Sequence, residues 1–215
     1  MDGTSVGTYV KSPLSGRMDF FQALTGVILA LFTLMHLVFV STVIISPSIM
    51  NGLAWLLEEL YLVQIFGPLL FLAMIVHFII AARKMPFQVG TLPIFIKHSK
   101  EMNHVDTWAW LVQVATAIIV LVMASIHMYV IMDSLPISAV ESAAREQNGW
   151  TPFYLVFLVS VGLHLTIGLF RVGVKFGLIT EANRELWKKR TQYLVLGYIA
   201  LGILAIIRFH FITIG

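Results

Sequence analysis

The sequence predicts an all-α integral membrane bundle of five spanning helices. Three observations predict it. Of the 215 residues 59% are apolar and only 12% charged, far from the balance of a globular domain. Five stretches match the roughly 20 helical residues needed to cross about 30 Å of hydrocarbon. The basic residues gather in alternate connections between those stretches.

The first helix is expected from Phe20 to Ile45. No apolar run precedes it, and Asp2, Gly3 and Ser5 do not make a cleavable signal peptide. Residues 1–19 are read as a segment on the inner side and residues 20–215 as one transmembrane domain. Ser46 and Pro47 close the first helix, and an outer loop ending in Glu58 and Glu59 leads to the second, Tyr61 to Ala82. Arg83, Lys84 and Pro86 stop that one. An inner loop of about twenty residues precedes the third, Thr107 to Met132, which stops at Asp133 and Pro136. Pro152 opens the fourth, Pro152 to Val174, because a first-turn proline lacks only an N–H that would have no partner anyway. After an amphipathic stretch from Glu181 to Arg190, the fifth runs from Tyr193 to Ile212.

Twelve of the 14 Lys and Arg fall on the side of the N-terminus: Lys11, Arg17, Arg83, Lys84, Lys97, Lys100, Arg171, Lys175, Arg184, Lys188, Lys189 and Arg190. Only Arg145 and Arg208 fall opposite. The positive-inside rule then places the N-terminus in the cytoplasm and the C-terminus outside, in a multi-pass protein of the inner cell membrane. Attraction to lipid head groups is the plain account of the basic face, and docking of a soluble partner is the functional one. Nothing in the pattern points to nucleic acid. The chain has no cysteine, which excludes disulfides, iron–sulfur clusters and thioether-linked haem.

Part of the chain repeats. Gln22 and Thr25 precede His36 by 14 and 11 residues, and Gln113 and Thr116 precede His127 by the same intervals. His77 is followed by Arg83 and His164 by Arg171. Helices one and two therefore read as a copy of helices three and four.

Four of the five helices carry a histidine well inside the membrane, where ionisable groups are costly and mark sites. At 1.5 Å per residue, His36 lies roughly 15 Å and His127 roughly 9 Å from the outer ends of their helices; His77 lies roughly 9 Å and His164 roughly 16 Å from the inner ends. A single such histidine is most simply an interhelical hydrogen-bond partner. Four at paired depths on alternate helices supply two axial ligands twice, once for each of two b-type haems: His36 with His127 outside, His77 with His164 inside. With both axial positions filled, such a centre moves electrons and does not activate ligands. Gly26, Gly162, Gly168, Thr25, Ala73 and Ser125 are small enough to admit a flat ring. His98, His104 and His210 are not in the ligand set; the first two read as loop residues and His210 as interfacial.

Haem propionates need donors near the membrane faces. Gln22, Trp110 and Lys175 lie near the inner ends and Arg145 near the outer, with snorkelling the plain alternative for Lys175 and the aromatic belt for Trp110. Glu58 and Glu59 are candidate proton acceptors for a quinol at the outer face, or simply acids at a helix start.

The run Phe32 to Thr42, FTLMHLVFVST, the segment with His104, Asp106, Thr107, Trp110 and Gln113, and the run His164 to Lys175, HLTIGLFRVGVK, resemble the dihaem cytochrome b membrane subunit of quinol:fumarate reductases and succinate:menaquinone oxidoreductases. The resemblance implies a bundle anchoring an iron–sulfur subunit and a flavoprotein on the cytoplasmic face, oxidising menaquinol and serving fumarate reduction in anaerobic respiration. It leaves pairing of whole complexes open. It carries His36 and His127 over as distal haem ligands, His77 and His164 as proximal ligands, Gln22, Trp110 and Lys175 as proximal propionate contacts, and Glu58 or Glu59 as the acid of a menaquinol site. One departure stands out: where members can carry a glutamate two residues before the fourth-helix histidine, this chain has Gly162, which puts a compensating proton route in doubt. The alternatives are the same machine running as succinate dehydrogenase and, from another class, a structural anchor or a metal transporter.

Overall fold

The computed structural model describes residues 13–86 and 90–214. Lys11 and the rest of residues 1–12, part of the expected inner segment, lie outside the described residues. Among the described residues eight α-helices follow one another: α1 Pro13–Ile45, α2 Pro47–Glu59, α3 Leu62–Ala82, α4 Thr91–Met102, α5 Val105–Asp133, α6 Ala139–Arg145, α7 Thr151–Lys175 and α8 Arg184–His210. No strand occurs among the described residues. Five of these stretches are long and apolar enough to cross a membrane: α1, α3, α5, α7 together with α6, and α8.

All five expected spans are present, and two run well past their expected limits. The first helix starts at Pro13, and the fifth starts at Arg184, nine residues before the expected Tyr193. Apolarity marks only the part of a helix that sits in hydrocarbon, whereas backbone hydrogen bonding continues into the head-group layer, where Lys and Arg stems cover apolar surface and their charges reach water. The amphipathic stretch from Glu181 to Arg190 is therefore mostly the opening of α8.

The expected loops are also largely helical. Ser46 caps α2 by accepting from Ser48 N at 3.2 Å, with Pro47 in the first turn. His104, expected to be a loop residue, caps α5 by accepting from Asp106 N at 3.3 Å. Ser138 caps α6 by accepting from Glu141 N at 3.1 Å. Each cap satisfies an amide that the first turn leaves without a partner.

Packing is inside-out relative to a globular protein. Ala30 is buried with Leu165 and Tyr198 where α1, α7 and α8 meet, and Ala23, Ala54, Ala139, Ala143 and Ala205 are buried as well, while Leu31, Met35, Val38 and Leu72 are exposed. Lipid is as apolar as leucine, so helix association depends on close backbone approach. Gly202 illustrates it: a Cβ there would come within 2.4 Å of Leu158. A second cluster, Val43, Met50, Ala139, Ala143, Ala205 and Phe209, ties α1, α2, α6 and α8 at one end.

The opposite end is held by charge. Asp19 near the start of α1 pairs with Arg83 and, at 2.7 Å, with Lys84, just past the end of α3. Lys175 at the end of α7 donates to the Asp19 carbonyl at 2.6 Å, and Arg184 at the start of α8 pairs with Asp106 at the start of α5. The basic residues expected to share a face thus converge at one end, here termed the basic end.

Candidate functional site

Helices α1, α3, α5 and α7 bring the four intramembrane histidines together in two layers. In the layer toward the far end, the rings of His36 and His127 lie 6.0 Å apart, centroid to centroid. Metal–imidazole nitrogen bonds of about 2 Å on opposite sides of one iron require ring centroids roughly 6 Å apart. The Nδ1 of His127 is buried without a hydrogen-bond partner among the described residues. Aromatic rings enclose the pair: Phe32 stacks on His36 at 5.6 Å, and Tyr154 and Phe157 face His127 at 5.7 and 5.8 Å.

In the layer nearer the basic end, each histidine is oriented by a threonine of the preceding long helix. Thr25 Oγ1 is 3.0 Å from His77 Nδ1, and Thr116 Oγ1 is 3.3 Å from His164 Nδ1. A hydroxyl has one proton to give. Thr25 gives its proton to the Phe21 carbonyl at 2.8 Å and Thr116 to that of Val112 at 2.7 Å. Each hydroxyl therefore accepts from Nδ1–H, which fixes the tautomer and leaves Nε2 bare as a ligand atom. The repeat now has a structural meaning: its matching threonines perform the same service in each half. Eleven residues of α1 separate Thr25 from His36, and the same number of α5 separate Thr116 from His127, so the layers lie about 16 Å apart along the helices.

Two glycines let side chains of the near layer close against the backbone. A Cβ on Gly26 would meet His77 Cε1 at 2.9 Å, and one on Gly168 would meet Gln113 Nε2 at 3.2 Å. Two imidazoles per layer, one layer with its tautomer fixed and the other with a buried unpartnered nitrogen, fit a macrocycle that supplies the remaining four ligands itself. Among the described residues no three His, Cys, Asp or Glu converge on a common point.

The other expected site residues are dispersed around these layers. Gln22 lies one turn before Thr25 on α1. Trp110 packs on Phe95 of α4 at 5.1 Å and, with Lys175, lines a cavity of about 560 Å³ at the basic end. Arg145 donates to Ser134 Oγ at 2.9 Å and Ser142 Oγ at 3.4 Å. Glu58 and Glu59 are separated by the helix turn that carries them: Glu58 Oε1 accepts from Ile137 N at 2.6 Å, while Glu59 is exposed.

Gly162 does not face the histidine layers. It is buried against α8, where a Cβ would meet Tyr198 Cδ1 at 3.2 Å and Ile199 Cγ1 at 3.4 Å. A glutamate there has no room unless α7 and α8 separate. Gly162→Glu is expected to cost about 1–3 kcal/mol, in line with overpacked cores, seen as a lower denaturation midpoint of the detergent-solubilised protein. An unchanged midpoint would show that this interface yields easily.

Sequence reasoning missed Glu146, which is buried at 4% exposure, and the hydrogen bond of His210 to Thr151 at 3.0 Å.

Comparison with known proteins covers most of the chain. The family model described as succinate dehydrogenase/fumarate reductase transmembrane subunit matches residues 95–206. The fumarate reductase cytochrome b subunit of Helicobacter pylori is 31% identical over 208 residues, covering 89% of this chain and 81% of that one. That of Wolinella succinogenes is 31% identical over 211 residues, covering 90% and 81%.

Proposed function

The chain belongs to the family of succinate dehydrogenase/fumarate reductase transmembrane subunits, and from that premise we propose that it oxidises menaquinol and passes the electrons toward fumarate reduction on partner subunits. The two layers of paired imidazoles carry this reading. Haem held between two imidazoles supplies one-electron transfer and leaves no open position for a ligand.

His36 and His127 hold the far haem, and His77 and His164 the near one. Thr25 and Thr116 keep the near imidazoles in the tautomer that binds iron. Arg145, which donates to the hydroxyls of Ser134 and Ser142 and interacts with Tyr154, supplies a cation for a propionate of the far haem. Gln22 and Trp110 serve the propionates of the near haem as N–H donors and Lys175 as an ammonium. The basic end faces the cytoplasm and receives the iron–sulfur subunit, with the flavoprotein beyond it; Lys84 and Lys97, at 47% and 76% side-chain exposure, are cations that a docked acidic surface reaches. Glu58 takes a proton from the quinol. Its bond to Ile137 N leaves a second carboxylate oxygen for that purpose, whereas Glu59 is exposed.

The test is a reduced-minus-oxidised spectrum and a haem determination on the assembled complex, together with menaquinol-analogue oxidation coupled to fumarate. A b-type band, about two haems per chain and quinol-driven fumarate reduction are expected. Absence of the band would sink the proposal. Glu58→Gln keeps the size of the side chain and removes its basicity, so quinol turnover is expected to fall on the order of a hundredfold with haem content unchanged. Wild-type turnover in that variant removes Glu58 from the site.

A further inference from the structure

A buried carboxylate at the far end has no part in the function described so far. Glu146 opens the wide turn Glu146–Trp150 between α6 and α7, where Asn148 and Gly149 leave helical geometry and Gly149 adopts φ +98°. The turn folds Thr151 back against its start: Thr151 Oγ1 lies 2.8 Å from Glu146 Oε2 and 3.0 Å from the Glu146 carbonyl. The same hydroxyl is 3.0 Å from Nε2 of His210 at the end of α8, and His210 is exposed. Gln147 pins the two elements together by donating to the carbonyls of Phe209 and Ile212 at 3.0 and 2.8 Å.

These three groups form a continuous hydrogen-bonded line from a buried acid to the surface. A hydroxyl accepts and donates at once, so a proton entering at one end releases another at the other. The charged and titratable groups facing Glu146 are Arg145 beside it, Tyr154 on α7 and His210 on α8. Tyr154 in turn faces the His127 ring, which sets the line beside the far layer.

We propose that Glu146, Thr151 and His210 form a proton-release relay for quinol oxidation at the far end, a reading that rests on the function proposed above. A quinol surrenders two protons and two electrons, and Glu58 accepts one proton at a time. Glu146 accepts the other: the quinol O–H bond breaks and a carboxylic O–H forms. The carboxylic proton then moves to Thr151 Oγ1 while the threonine's own proton passes to His210 Nε2, and the imidazolium loses its proton to water. The electrons leave toward fumarate, the oxidant of the proposed activity.

The assembled complex tests this with Glu146→Gln, Thr151→Val, Thr151→Ser and His210→Ala, turnover being normalised to haem content. Glu146→Gln and Thr151→Val are expected to lower menaquinol-analogue turnover on the order of tenfold to a hundredfold and to change its pH profile. Thr151→Ser keeps the hydroxyl and is expected to restore both, and added imidazole to restore His210→Ala. A redox-difference infrared spectrum of the wild type is expected to carry a carboxylic C=O signal that Glu146→Gln lacks. Wild-type turnover and pH profile in Glu146→Gln, or equal defects in Thr151→Val and Thr151→Ser, would overturn the relay and leave the quinol-oxidising function standing. A wild-type complex that oxidises no quinol would overturn both.

Discussion

In His127→Ala, haem content is expected to fall from about two per chain to about one, with the remaining haem that of the His77–His164 layer. The expectation rests on two facts. His36 and His127 face each other 6.0 Å apart, so loss of either leaves one imidazole where two are needed. The near layer lies about 16 Å along the helices and takes its orientation from Thr25 and Thr116, which do not contact the far pair. The layers should therefore fail independently, as distant sites do. A redox titration of His127→Ala, and of His36→Ala, is expected to lose the same single component, and quinol-driven fumarate reduction to disappear with it. Retention of both components in either variant shows that the pair does not bind iron.

The proximity of His36 to His127 was readable from sequence because two regularities govern it. A helix converts residue number into depth at a fixed rise, and the membrane makes an unpartnered imidazole costly enough to mark a site. The threonine–histidine bonds were not readable, although the threonines stood out in the repeat. A repeat shows that Thr25 and Thr116 are equivalent, but which side chain each meets across the interface depends on helix rotation and crossing. Thr25 in fact serves His77 on α3, not His36 on its own helix.

The far end was the least legible. Residues 133–151 lack an apolar run and so read as an outer loop. The chain builds α6 and a wide turn there instead, and Glu146 becomes buried because the end of α8 closes against that turn through Gln147. His210, without an evident partner in sequence, finds one 59 residues away in Thr151. Glu58 and Glu59 differ in their surroundings for a local reason: neighbouring positions on a helix point about 100° apart, and Glu58 accepts from Ile137 N while Glu59 is exposed. The departure at Gly162 also takes on a physical reason, since that face of α7 is where α8 packs.

Gly26 offers the sharpest distinction between a ligand and a packing residue in the near layer. A Cβ at this position would meet His77 Cε1 at 2.9 Å, closer than carbon atoms in ordinary contact, which sit at about 3.5–4.0 Å. A histidine that only fills space has freedom to swing its ring aside, and alanine would then cost little. A ring held at one nitrogen by Thr25 and at the other by iron has no such freedom. Gly26→Ala is thus expected to reduce near-haem occupancy severalfold and Gly26→Val to abolish it, while the His36–His127 haem persists in both. Haem determination and redox titration on the assembled complex read this directly. If Gly26→Val keeps two haems with unchanged potentials, His77 is free to move and the near layer must be ligated by other residues. Thr25→Val removes the hydroxyl that fixes the tautomer without adding bulk toward the ring, so it should weaken near-haem retention less than Gly26→Val, and Thr25→Ser should restore it.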